Sequence, residues 1–110
     1  MNLKNKKILV TGGAGFLGSF VVEKLLKRGV PRKNIIVPRS KVCDLRNWNN
    51  CLKVMNGTEI VIHLAGQVGG IGFNREKPGE LFYGNIVMGA QLMEAARLAN
   101  VEKFVAIGTV

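Results

Sequence analysis

At 110 residues the chain has room for one domain, and 47% hydrophobic content excludes a disordered polypeptide. Sixteen Lys and Arg against seven acids give a net charge of +9. No nucleic-acid motif accompanies that charge and the basic residues are scattered over several elements, so the partner expected is an anionic small molecule, with no nucleic acid and no membrane.

Lys4, Lys6 and Lys7 precede an apolar run that mimics a secretory leader, but Gly12, Gly13 and Gly15 interrupt it. A buried strand over Lys6 to Val10 accounts for the run better. Phe16 to Arg28 has helical spacing, with Phe16, Phe20, Leu25 or Val21, and Leu26 inward and Glu23, Lys24, Lys27 and Arg28 outward. Gly29 caps this helix and Pro31 stops it. Asn34 to Val37 reads as a short second strand. Asp44 to Met55 holds a short helix with Trp48, Leu52 and Met55 as its apolar side, and Asn56-Gly57 is a turn.

Glu59 to Leu64 is the third strand, with Ile60-Val61-Ile62 as its buried middle. Ala65 to Pro78 has no periodic pattern and contains four glycines. A loop of that length leaving a parallel strand reads as functional. Gly79 to Asn100 is the longest helix, and it carries two apolar stripes. One contains Phe82, Ile86, Ala90 and Met93, and the other Leu81, Met88, Leu92 and Ala95. One stripe covers the sheet, and the second needs another partner, such as a second subunit. Lys103 to Ile107 is the fourth strand.

The alternation of strands and helices predicts an α/β fold, a doubly wound parallel sheet of Rossmann type, with expected order 3-2-1-4. In that order Phe104 to Ile107 is an unpaired apolar edge, and self-association is expected. The only cysteines, Cys43 and Cys51, lie eight residues apart with no second pair. They read as free thiols of a reducing, cytoplasmic compartment, with no metal site.

The chemistry concentrates where the first strand meets the first helix. Gly13, Gly15 and Gly18 make G-x-G-x-x-G, while Gly12, Gly15 and Gly18 make G-x-x-G-x-x-G. Without Cβ atoms, backbone N–H groups can approach a pyrophosphate, and the helix N-terminus faces its charge. A dinucleotide site for NAD offers an acid about 20 residues beyond the glycines to hold the ribose 2′-hydroxyl. Here no acid lies between Glu23 and Asp44, and Arg39, Ser40 and Lys41 occupy that place. Cationic donors suit a 2′-phosphate, so NADP is expected, with NAD as the alternative. His63, a lone histidine at a strand end, reads as structural.

Thr11-Gly12-Gly13-Ala14-Gly15-Phe16-Leu17-Gly18 resembles the cofactor loop of the extended short-chain dehydrogenases/reductases, the nucleotide-sugar epimerase/dehydratase group. His63-Leu64-Ala65-Gly66 resembles the motif that closes the third strand in that family, and Asn85 with Gly89-Ala90 and Glu94-Ala95-Ala96 its fourth-helix pattern. Within the group, Gln67-Val68-Gly69-Gly70-Ile71 is most similar to the branch that reduces and epimerises a GDP-bound 4-keto-6-deoxy sugar.

The resemblance implies cofactor contacts from Gly12, Gly15, Phe16, Leu17, Gly18, Arg39, Ser40, Lys41, Asp44, Leu45, Leu64, Ala65, Gly66 and Asn85. It implies substrate contacts from Val68, Gly69 and Gly70, and places Thr109 where the family has its catalytic Ser or Thr. Asp44 has two open readings, an adenine contact by resemblance and an N-cap for the following helix. The family's Tyr-x-x-x-Lys pair is not matched, because the only tyrosine is Tyr83 and position 87 is Val. Residues 1–110 are therefore expected to form the N-terminal part of a dinucleotide-binding domain, inactive by itself, with catalytic and substrate parts elsewhere. A homodimer is expected of the complete enzyme, and the alternatives are an NAD-dependent nucleotide-sugar epimerase or dehydratase and a non-catalytic dinucleotide-binding module.

Overall fold

The computed structural model describes residues 3–12, 16–39, 43–64 and 78–106. Four parallel strands form one sheet: β1 (Ile8–Thr11), β2 (Ile35–Ile36), β3 (Ile60–His63) and β4 (Lys103–Ala106). Among the described residues three α-helices lie between them: α1 (Phe16–Lys27), α2 (Trp48–Met55) and α3 (Pro78–Leu98).

The sheet order is β2-β1-β3-β4, so the expected 3-2-1-4 is corrected. The reason is the handedness of the crossovers. Leu25 of α1 packs with Ile8, Val10 and Ile60 on one face, whereas Cys51 and Met55 of α2 and Met88, Leu92, Ala95 and Ala96 of α3 pack with Leu9 and Val61 on the other. Right-handed crossovers on opposite faces travel in opposite directions. The chain therefore steps from β1 to β2 one way, then passes back under β1 to reach β3. Both expected stretches differ in length as well. β2 holds only two half-buried residues, while Ile8, Leu9, Val10 and Thr11 are all fully buried in β1. The four-residue run of β3 fits a central strand and the short β2 fits an edge.

Helix ends follow the residues expected of them. Gly29, at φ 93°, follows α1, with Gly29 N–H donating to Leu26 C=O at 3.0 Å and Val30 N–H to Leu25 C=O at 3.1 Å. Asn100, at φ 55°, does the same after α3, with Val101 N–H on Ala96 C=O. Both are Schellman endings, which need a left-handed residue past the last turn.

Two expected core faces are corrected. Met55 is buried as expected, but Trp48 and Leu52 are exposed at 37% and 40%, and α2 buries Cys51 in their place. The thiol fills the close approach to the sheet that an indole cannot enter, and its Sγ donates to Leu45 C=O at 3.0 Å. Burial pushes the Cys51 thiol up to about 11. Phe20 also turns outward, with the Lys24 ammonium 5.3 Å from its ring centre. The two stripes of α3 are borne out among the described side chains. Met88, Leu92 and Ala95 are buried, while Ile86 and Met93 are exposed. β4 is an edge strand with Val105 exposed. No helix among the described residues is long and apolar enough to cross a membrane.

Candidate functional site

Ligands of open α/β sheets bind outside the carboxyl ends of the strands, where successive crossovers diverge. In this sheet that point lies between β1 and β3, since the chain leaves β1 for β2 on one side and for β3 on the other. The residues at the two strand ends are Thr11-Gly12 and His63-Leu64, and Thr11 pairs with His63 in register.

Thr11 Oγ1 and His63 Nδ1 are 2.6 Å apart, and both residues are buried. Leu64 N–H continues the pairing by donating to Thr11 C=O at 3.2 Å. The adjoining strand places Phe104 beside the imidazole, ring centres 6.3 Å apart. From α3, Gly89 comes close enough that an added Cβ would lie 3.9 Å from Nε2. Burial lowers the His63 pKa, so the ring is neutral at neutral pH. The histidine thus joins two strands across the switch point and brings no charge to it.

Gly12 follows immediately at φ 77°, a conformation that favours glycine. The chain turns there from β1 towards the N-terminus of α1 at Phe16, with Gly18 buried within the helix and Leu17 exposed. A left-handed glycine, a helix N-terminus and a switch point fit a dinucleotide pyrophosphate.

On the adenosine side, Arg39 is exposed beyond β2, and its carbonyl accepts from Cys43 N–H at 2.7 Å. Asp44 accepts from Arg46 backbone N–H at 2.9 Å, from its Nε at 3.0 Å and from its terminal nitrogen at 2.8 Å. The Arg46 guanidinium holds the Asp44 carboxyl below its ordinary range. The N-cap reading of Asp44 is corrected, because Asn47 caps α2 and accepts from Asn49 and Asn50 N–H. The shorter reach of Asn47 into the first turn suits the cap, and Asp44, three residues upstream, closes a turn of its own. Leu45 is buried in the core.

The structure therefore brings together Gly12, Leu64 and the N-terminal end of α1, with Arg39, Asp44 and Leu45 on the stretch that links β2 to α2. Asn85 lies in α3. Gly15, Ser40, Lys41, Ala65, Gly66, Val68, Gly69, Gly70 and Thr109 lie outside the described residues. Gln91 escaped the sequence reading, although its Nε2 donates to Leu45 and Arg46 carbonyls at 3.1 and 2.7 Å.

Residues 8–110 match the family model described as the NAD dependent epimerase/dehydratase family. The chain belongs to that family. It is 34% identical over 110 residues to GDP-mannose 3,5-epimerase 1 of Oryza sativa subsp. japonica, covering 89% of this chain and 29% of that protein. GDP-L-fucose synthase of Sinorhizobium fredii is 29% identical over 109 residues, covering 97% of this chain and 34% of that protein. Among solved structures, MlghC, a GDP-mannoheptose C4 reductase from Campylobacter jejuni with NADP bound, superposes with a TM-score of 0.85 at 28% identity. That match covers 96% of this chain and 31% of the other. The chain thus spans about a third of the length of the family members it matches. They are epimerases and reductases of nucleotide sugars, and the family is the nucleotide-sugar epimerase/reductase group expected from the motifs.

Proposed function

We propose that this chain is the NADP-binding portion of an enzyme that reduces and epimerises a GDP-bound keto-sugar, most similar in activity to GDP-L-fucose synthase. The observation that carries the reading is the left-handed Gly12 turn directly after Thr11, whose carbonyl accepts from Leu64 N–H across the switch point, next to a β2 exit bearing Arg39 and no acid before Asp44. Similarity to a GDP-sugar reductase with NADP bound supports the cofactor.

When bound, NADPH would supply hydride to the sugar carbonyl. The chain's own residues bind and orient. Backbone amides after Gly12 and at the start of α1 would hold the pyrophosphate. Arg39, with Ser40 and Lys41, would receive the 2′-phosphate, and Asp44 and Leu45 the adenine. Val68, Gly69 and Gly70 would line the sugar, and Thr109 would orient its carbonyl. Proton transfer would fall to a tyrosine and lysine outside these 110 residues, so the chain alone is expected to bind cofactor without turnover.

Calorimetric titration of the 110-residue chain with NADP and NAD tests the reading. NADP is expected to bind at least tenfold tighter, and tighter NAD binding would refute the role given to Arg39. The 34% identity to a GDP-mannose 3,5-epimerase favours a second reading, an epimerase acting on a GDP-hexose with NAD. That same titration separates the two.

Homodimerisation of the complete enzyme through α3 belongs to the proposal. Tyr83, Ile86 and Met93 recur at helical spacing and are exposed at 70%, 52% and 60%. Sedimentation of Ile86→Glu with Met93→Glu against the parent is expected to shift the mass towards monomer.

A further inference from the structure

On α3, Gln91 lies beside buried Leu92 and is itself only partly exposed. Its carboxamide nitrogen donates to two consecutive carbonyls, Leu45 at 3.1 Å and Arg46 at 2.7 Å. The carbonyls around them are also occupied. Asp44 C=O accepts from Asn50 Nδ2 at 3.0 Å, and Leu45 C=O from Cys51 Sγ at 3.0 Å. Asn50 and Cys51 belong to α2, which directly follows this turn. Gln91 reaches it from another element, 45 residues beyond Arg46.

The turn has a position of consequence. Asp44 and Leu45 sit in it, and Cys43, immediately before, is bonded through its N–H to Arg39 C=O. Gln91 thus holds the Leu45 and Arg46 peptide planes at one end of this stretch, and the Cys43–Arg39 bond ties Arg39 to the residue that precedes the turn. A donor that satisfies two carbonyls at once removes the rotations that would let the turn drift. Without it, water can take over the Arg46 carbonyl, so the turn loosens while the core under Leu45 stays packed. The cost of ordering the turn then falls on any ligand that uses it.

We propose that Gln91 is a positioning residue for the adenosine end of the cofactor, holding the 44–46 turn and, through it, Arg39 and Asp44 in the geometry that receives the adenine and the 2′-phosphate. This rests on the cofactor reading above.

Gln91→Glu keeps the shape and removes the donor, while Gln91→Lys keeps a donor of similar reach. Adenosine 2′,5′-bisphosphate, the adenosine end alone, is titrated by calorimetry into the 110-residue chain and both variants. Amide exchange is followed at Arg46 and Asn47, whose N–H groups bond to Asp44. Gln91→Glu is expected to bind about tenfold more weakly and to exchange about tenfold faster at those two amides. Gln91→Lys is expected to stay within about twofold of the parent in both. Should Gln91→Glu not fold, Gln91→Met carries the same expectation. Parent-like binding by Gln91→Glu, or equal losses in Gln91→Lys and Gln91→Glu, would overturn the positioning role alone. A parent chain that binds neither the bisphosphate nor NADP would overturn the cofactor reading and this role with it.

Discussion

The two ends of the sheet are fastened by different chemistry. At the amino ends of β1, β3 and β4, Lys6 sits between two carboxylates, 2.7 Å from Glu102 and 3.5 Å from Glu59. Backbone bonds join the same corner, with Glu102 N–H on Glu59 C=O at 2.8 Å and Glu59 N–H on Lys7 C=O at 2.9 Å. At the carboxyl ends a buried side-chain bond between neutral groups, Thr11 and His63, joins the strands beside the backbone bond from Leu64 N–H to Thr11 C=O. Water screens the charges at the first end, so each ion pair there contributes little. A fixed charge at the second end would compete with, or repel, a phosphate. The sheet is therefore tied by ions away from its ligand crevice and by a neutral bond at it.

Four substitutions probe this contrast, the largest effect first. Gly12→Val forces a β-branched residue to φ 77° and puts a side chain at the turn. It should cost about 1–3 kcal/mol in urea unfolding and remove NADP binding from calorimetry. Retained binding would detach the turn from the cofactor.

Thr11→Val removes the hydroxyl and leaves a buried imidazole nitrogen without that partner. A loss of about 1–3 kcal/mol is expected from urea melts. The buried ring itself has a pH signature, set by its desolvation. The folded His63 pKa lies below 6.5, so in the window just under 6.5 the unfolded chain binds the proton and the folded chain does not. Stability contributed by the neutral ring is full above that window and falls as pH drops through it. His63→Gln should flatten this slope between pH 7 and pH 5, and an unchanged slope would assign it to other groups.

Lys6→Met has the smallest expected effect, a slight drop in urea midpoint that shrinks further in high salt. A loss as large as that of Thr11→Val would erase the distinction between the two ends.

Much of this organisation was legible from residue types. The apolar run of β1, the glycine turn, the Gly29 ending of α1 and the two stripes of α3 each follow from local rules. The order of strands did not, because it depends on which face α2 takes. Trp48 and Leu52 suggested one face by size, whereas small Cys51 took the buried position. The fully apolar Ile60-Val61-Ile62 run was the available signal that the later strand is central. Gly12 and Leu64, singled out by motif, stand directly after β1 and β3. Gln91 was missed, although it is a polar residue in a largely apolar helix and so needs a partner. Its partners are backbone carbonyls, which leave no trace in side-chain identity.

The central place of β1 also sets a timetable for the nascent chain. Thr11 finds His63 only 52 residues later, while its other neighbour, β2, leaves the ribosome much sooner. Until β3 emerges, one flank of the most buried strand stays bare, and the half-built sheet ends in an open row of peptide groups. Codon changes that pause synthesis before β3 has left the ribosome should prolong that exposure, whereas a pause after it has emerged should not.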